Sequence, residues 1–111
     1  MALRLVGSGN SCAGRVEMFY DGHWGRVCDD YWDLPDAQVV CRQLGCGNAI
    51  SPSGRSDFGL GRGLIIVNGV QCIGDEEFLW NCLHRQYNVP SYGHHKDAFV
   101  TCSGSIKPTG K

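Results

Sequence analysis

Seven cysteines stand among 111 residues, and no two of them form a C-x-x-C pair. Zinc ribbons and thioredoxin-type redox sites are both built on that pair, so neither has its basic unit here. With 16 glycines in the same chain, the cysteines point to a small domain of many turns, stapled by disulfides in place of a large continuous core. Such staples belong to oxidising compartments. The expected location is therefore extracellular, as a secreted protein or as the ectodomain of a membrane protein.

The chain length suits one domain. No apolar run approaches the roughly 20 residues that span a bilayer, and the Met1-Ala2 start lacks the charged-then-apolar pattern of a signal peptide, so an excised module with no membrane insertion is expected. A formal net charge of -1 gives no bulk electrostatic reason for a nucleic-acid or membrane-surface partner. Recognition must come from local patches. The cations are mostly arginines, which suit carboxylate or sulfate ligands and equally suit ordinary surface pairing.

Along the chain, Leu3-Arg4-Leu5-Val6 alternates as a strand and stops at Gly7-Ser8-Gly9-Asn10. Val16, Met18 and Tyr20 share one face of a period-two pattern, and Asp21-Gly22 turns the chain into His23 to Cys28, which reads as a β-hairpin. Asp33 is a good N-cap, Pro35 fits the first turn, and Ala37, Val40, Cys41 and Leu44 fall on one helical stripe that ends at Gly45. This is the clearest helix, over about 34–44, with the Cys41 sulfur inward. Asn48 to Gly63 reads as a long loop. Leu64-Ile65-Ile66-Val67 reads as a buried strand closed by an Asn68-Gly69 turn, and a second short helix is expected over about 76–82. His84 to Lys96 reads as loop, and Ala98 to Cys102 as the closing strand.

Just ahead of the main helix lies Trp24-Gly25-Arg26-Val27-Cys28-Asp29-Asp30-Tyr31-Trp32. Adjacent strand residues point to opposite faces, so Asp29 and Asp30 converge on one target only if the backbone turns there. The pair then makes a cation site, or it faces the positive end of the following helix.

Gly14-Arg15-Val16-Glu17, Trp24 to Asp30, Asp36-Ala37-Gln38-Val39-Val40-Cys41-Arg42-Gln43-Leu44-Gly45-Cys46-Gly47 and Gly93-His94-His95-Lys96-Asp97-Ala98 together resemble the scavenger receptor cysteine-rich domain, in its eight-cysteine form. The resemblance runs from about Leu3 to Ser103. It implies one α+β domain over 3–103, in which a curved, mostly antiparallel sheet cradles the main helix, followed by a linker or added tail over 104–111. It further implies the disulfides Cys12 to Cys46, Cys41 to Cys102 and Cys72 to Cys82. In the same pattern Cys28 would bond a cysteine at the position that here holds Tyr92. A buried Cys28 thiol packed as a small hydrophobe is the expected outcome, in a monomer; a disulfide-linked dimer through Cys28 is the alternative.

Members that bind calcium hold it with residues matching Asp29, Asp30 and Glu76, so the resemblance implies a Ca2+ site at these three carboxylates. The second cation site of some members needs acidic residues where this chain has Asn68-Gly69, and it is not expected. Val16 to Phe19 with Trp24 is similar to a segment used for adhesion to bacterial surfaces. Arg15, Glu17, Trp24 and Arg26 are accordingly the candidate ligand-binding residues, although the same residues also serve to build the hairpin. Asp97 reads as part of a surface turn.

No G-x-S-x-G elbow, H-E-x-x-H or phosphate loop is present, and Gly59-x-Gly61-x-Gly63 precedes its strand, the wrong order for dinucleotide binding. His94 and His95 lack further zinc ligands nearby. The chain is expected to be a non-catalytic extracellular module that recognises protein or microbial polyanionic ligands with the help of calcium. The competing expectation is a structural or docking accessory domain, without its own cation, in a larger secreted protease, oxidase or receptor.

Overall fold

A computed structural model of the chain describes residues 2–20, 22–28, 31–52, 65–89 and 97–105. Among the described residues seven strands and one α-helix follow in the order β1 (Ala2–Gly7), β2 (Ala13–Tyr20), β3 (His23–Val27), α1 (Leu34–Gln43), β4 (Ala49–Ser51), β5 (Ile65–Gln71), β6 (Leu83–Val89) and β7 (Phe99–Cys102). The strands form one sheet ordered β4-β7-β2-β3-β5-β6, and β1 lies against the other edge of β2. All pairings are antiparallel except β3 with β5.

The alternation of β2 sets the two sides of the sheet. Val16 and Met18 turn inward, opposite Leu5 and Leu3 of β1, and meet Ala37, Val39, Val40 and Cys41 of α1 in a single core with Val27, Val70 and Val100. The intervening residues Arg15, Glu17 and Phe19 turn to the outer face. Every fully buried aliphatic side chain withdraws apolar surface from water, so this shared layer of sheet and helix residues carries most of the folding drive. Cys12–Cys46, Cys41–Cys102 and Cys72–Cys82 cross it as three disulfides, the same pairs that the resemblance implies.

Helix α1 starts and stops as its sequence dictates. Asp33 and Asp36 close a reciprocal capping box at its N-terminus, with the Asp33 N–H donating to Asp36 Oδ2 at 2.8 Å. At the other end Gly45 takes a left-handed conformation.

Four expectations need correction. The expected loop from Asn48 to Gly63 opens with strand β4, whose Ala49 and Ser51 pair with Cys102 and Thr101 of β7. The strand at 64–67 does not close at Asn68-Gly69: β5 continues to Gln71, because Gly69, at φ 66, is absorbed as an irregularity opposite β6 between Asn68 and Gln71. The second helix over 76–82 is reduced to one 3-10 turn, Leu79–Asn81, since Phe78 is extended and the preceding residues are held by side chains of α1. The first half of the expected loop at 84–96 is strand β6, which pairs with β5; its period-two pattern of Leu83, Tyr87 and Val89 is interrupted by Arg85. The remaining loop residues 90–96 and the glycine-rich segment 53–64 lie outside the described residues, as does the end of the tail, 106–111.

Candidate functional site

Of the three expected calcium ligands, Asp29 and Asp30 lie outside the described residues, whereas Glu76 is placed in detail. It sits in the loop closed by Cys72–Cys82. That loop is clamped to α1 by polar side chains: Asp36 Oδ1 accepts the Cys72 N–H at 2.7 Å, Arg42 Nη2 donates to the carbonyls of Gly74 and Glu76 at 2.9 Å each, and Gln43 Oε1 accepts the Leu79 N–H at 2.8 Å. Glu76 itself folds back on its own turn. Its Oε2 accepts from Ile73 N–H and its Oε1 from Gly74 N–H, both at 2.9 Å. These amides hold its carboxyl below the usual carboxylate range, so a fixed negative charge stands at the molecular surface.

Donor atoms of Cys72, Glu76 and Cys82 lie within 4.8 Å of one another, but the two sulfurs are bonded to each other. Neither is a thiolate, and only Glu76 offers a charged ligand. Just after Asp30 the backbone turns: Tyr31 adopts a φ of 62, and its ring is exposed. Trp32 then anchors the turn by donating from Nε1 to the Phe99 carbonyl of β7 at 3.0 Å.

A second constellation covers the outer face of β1, β2 and β3. Register places Arg4 of β1, Glu17 of β2 and Arg26 of β3 in one row, with Phe19 and Trp24 in the next. Arg4 donates through Nε and Nη2 to Glu17 Oε1 at 2.9 and 2.7 Å, and Arg15 Nη2 lies 3.7 Å from Glu17 Oε2. The Arg4 guanidinium also lies over the Trp24 ring, 4.0 Å from its centroid, and Phe19 meets Trp24 edge to face at 5.3 Å. Arg4 is the most open of these charges at 45% side-chain exposure, against 15% for Arg15 and 10% for Glu17.

Arg26 does not belong to this platform as a ligand contact. Its Nε donates to Asp97 Oδ1 at 2.5 Å, with both side chains buried, so the pair is part of the interior and Asp97 is no surface turn. The polar run Gly93 to Lys96 before it suits a surface turn, but the strand bridge between Cys28 and Asp97 carries the aspartate inside. Arg4 was missed as a site residue. Its alternation between Leu3 and Leu5 already put it on the non-core face, but only the β1–β2 register brings it to Glu17.

Cys28 is buried and stands outside the three disulfides, its N–H donating to the Val67 carbonyl at 2.9 Å. Tyr92, His94 and His95 lie outside the described residues.

Among the described residues Asp36 is the one strongly perturbed acid. Complete burial pushes its carboxyl up to about 7, against the pull of the Cys72 and Asp33 amides, and the nearby Asp33 carboxylate adds to the rise. Its two accepted hydrogen bonds join the start of α1 to the start of the Glu76 loop.

Residues 6–103 match the scavenger receptor cysteine-rich domain. Human CD5 antigen-like is 47% identical over 104 residues, covering 92% of this chain and 30% of that protein, and rat galectin-3-binding protein is 48% identical over 105 residues, covering 95% and 18%. The third such domain of murine neurotrypsin superposes with a TM-score of 0.76 at 39% identity, covering 92% of this chain and 95% of that one. The chain belongs to the scavenger receptor cysteine-rich family, an extracellular, receptor-type module. It spans 18% to 30% of the two protein relatives named here. Among the described residues no helix is long and apolar enough to cross a membrane.

Proposed function

We propose that the chain is a non-catalytic ligand-binding module that recognises protein or microbial polyanionic ligands with calcium held by Asp29, Asp30 and Glu76. The observation that carries this reading is the Glu76 loop: a disulfide, Arg42 and Asp36 fix its backbone, and its half-buried carboxylate is kept ionised by backbone amides. Each carboxylate oxygen accepts one backbone N–H and keeps lone-pair capacity for a hard cation. When bound, Ca2+ would supply a positive centre open to an anionic group of the ligand. Arg4, stacked over Trp24 beside Arg15, adds a cationic platform on the outer sheet face. The name of the galectin-3-binding relative states a protein ligand for that protein, which favours a protein ligand here too.

A second reading is a structural or docking domain without a cation. It is favoured by the fact that both Glu76 oxygens already complete a capped turn.

Calcium titration of the 111-residue chain, followed by thermal unfolding, separates the two. A site of about 0.1 to 1 mM affinity gains about 1 to 2 kcal/mol at about 5 mM calcium, a rise in Tm of about 4 °C or more. Asp30→Ala should abolish the rise. An absent shift, or the same shift in Asp30→Ala, removes the calcium reading and leaves the structural one.

A further inference from the structure

Tyr31 lies between β3 and α1 and belongs to neither. It is 73% exposed, and its φ of 62 makes it the one described residue other than glycine in the left-handed region. For a residue with a bulky side chain that conformation is uncommon and belongs to turns. One edge of the ring rests on the fold, since Cδ2 is the atom that a Cβ added to Gly69 of β5 would meet, at 3.9 Å. Trp32, the next residue, is fixed to the Phe99 carbonyl at 3.0 Å. The Tyr31 side chain is therefore presented to solvent from an anchored turn.

The charge along the chain around it is one-sided. Asp29, Asp30 and Asp33 stand within four positions of Tyr31, and no lysine or arginine does. Arg26, the nearest cation in sequence, is engaged by Asp97 inside the protein. An acidic stretch of this kind raises the rate at which a basic enzyme cleft meets the chain. The other three tyrosines differ. Tyr20 has Glu17 and Asp21 nearby in sequence, but it lies in β2 and packs against the core. Tyr87 and Tyr92 have no acidic residue within four positions.

Compartment selects the chemistry that such a tyrosine meets. Three disulfides and membership of an extracellular family place the folded chain outside the cytosol, away from the cytosolic tyrosine kinases. On the secretory route the enzymes that act on exposed tyrosines in acidic stretches are sulfotransferases.

We propose that Tyr31 is a tyrosine O-sulfation site, modified by a secretory-route sulfotransferase with a basic cleft and a nucleotide phosphosulfate as donor. The phenolic oxygen attacks the donor sulfur, so that a new O–S bond forms as the bond from sulfur to the phosphate oxygen breaks. That oxygen keeps the bonding electron pair and leaves with the nucleotide. The phenolic proton passes to a base of the enzyme, and nothing is oxidised or reduced. The product, an aryl sulfate, adds a permanent negative charge whose oxygens suit a guanidinium of a partner protein. The proposal does not rest on the calcium reading and stands whether or not a cation binds at Glu76.

The test incubates the folded 111-residue chain, disulfides intact and calcium removed, with a purified tyrosine O-sulfotransferase and its phosphosulfate donor. Accurate mass counts the SO3 groups added, and electron-transfer fragmentation, which keeps the ester on its ring, places them. One SO3 is expected at Tyr31, with none at Tyr20, Tyr87 or Tyr92 and none in Tyr31→Phe. Removing the acidic context in the double variant Asp30→Asn/Asp33→Asn should slow incorporation about tenfold or more. Asparagine caps a helix as well as aspartate does, so α1 is kept in that variant. The same chain secreted from cultured animal cells behind a cleavable leader should carry the group at Tyr31. No incorporation, incorporation at another tyrosine in place of Tyr31, or a double-variant rate equal to the parent's overturns the proposal. So does a secreted chain with Tyr31 unmodified, or with an added mass that fits phosphate and not sulfate.

Discussion

The Arg26–Asp97 pair shows how far burial changes the meaning of a residue. On the surface such a pair contributes little, but here both charges are withdrawn from water and each depends on the other. Asp97→Ala should therefore cost about 3 to 5 kcal/mol in urea unfolding, because it leaves a buried guanidinium uncompensated; a loss below about 1 kcal/mol would show that the pair is solvated. Gly14 is constrained differently. Its φ is 140, and a Cβ there would press against the Val6 carbonyl, with Val6 N at 2.9 Å, so Gly14→Ala should lower Tm markedly while the same change at the open Gly9 lowers it less. Asp36 sets a pH dependence whose sign follows from its raised folded-state value. The folded protein takes up a proton near pH 7 and the unfolded chain only near 4, so stability should increase as pH falls from about 7 to about 4. Glu76 works in the opposite direction: its depressed value stabilises the fold above the ordinary carboxylate range and that contribution is lost at lower pH. Thermal unfolding across pH 4 to 8 should rise toward acid in the parent and flatten in Asp36→Asn. At this scale the sequence made the roles of Asp33, Cys41 and Gly45 legible, since each follows from local helix chemistry. Arg26 and Asp97 were not, because a pair 71 positions apart leaves no local pattern.

Among elements, α1 was readable from its apolar stripe and its caps, and the β2–β3 hairpin from alternation around Asp21-Gly22. Strand β6 was not. In Leu83-His84-Arg85-Gln86-Tyr87-Asn88-Val89 the alternation of Leu83, Tyr87 and Val89 is broken by Arg85, and pairing with β5 is what makes it a strand. The loop between Cys72 and Cys82 misled for a related reason: its spacing suits a helix, yet Arg42, Gln43 and Asp36 of α1 capture its backbone groups before a helix can. Disulfide loops give an element-scale prediction. Cys41 and Cys102 are 61 positions apart and tie α1 to β7, whereas Cys72 and Cys82 are only 10 apart. By loop-closure entropy the long link is worth about 4 kcal/mol and the short one about 3. Replacing both cysteines of each pair by alanine should thus cost more at Cys41–Cys102, and the difference should widen further because both of its sulfurs are in the core. Equal losses in denaturant unfolding would contradict the loop-closure account.

For the molecule as a whole, one sheet presents a core face to α1 and an outer face carrying Arg4, Glu17 and Trp24, while the Glu76 loop projects from the helix side. The family and its disulfide pattern were legible from several motifs in order. The spatial relation of the two candidate surfaces was not, since it depends on the β1–β2 register and on the clamp by Arg42. Amide spectra of the 111-residue chain during a calcium titration decide whether the proposed cation binds at the Glu76 loop. The Ile73 and Gly74 amides, which donate to Glu76, should shift saturably at about 0.1 to 1 mM calcium, and the response should vanish in Asp30→Ala. Spectra unchanged at those amides up to about 10 mM, well above the affinity range of such extracellular sites, would contradict it.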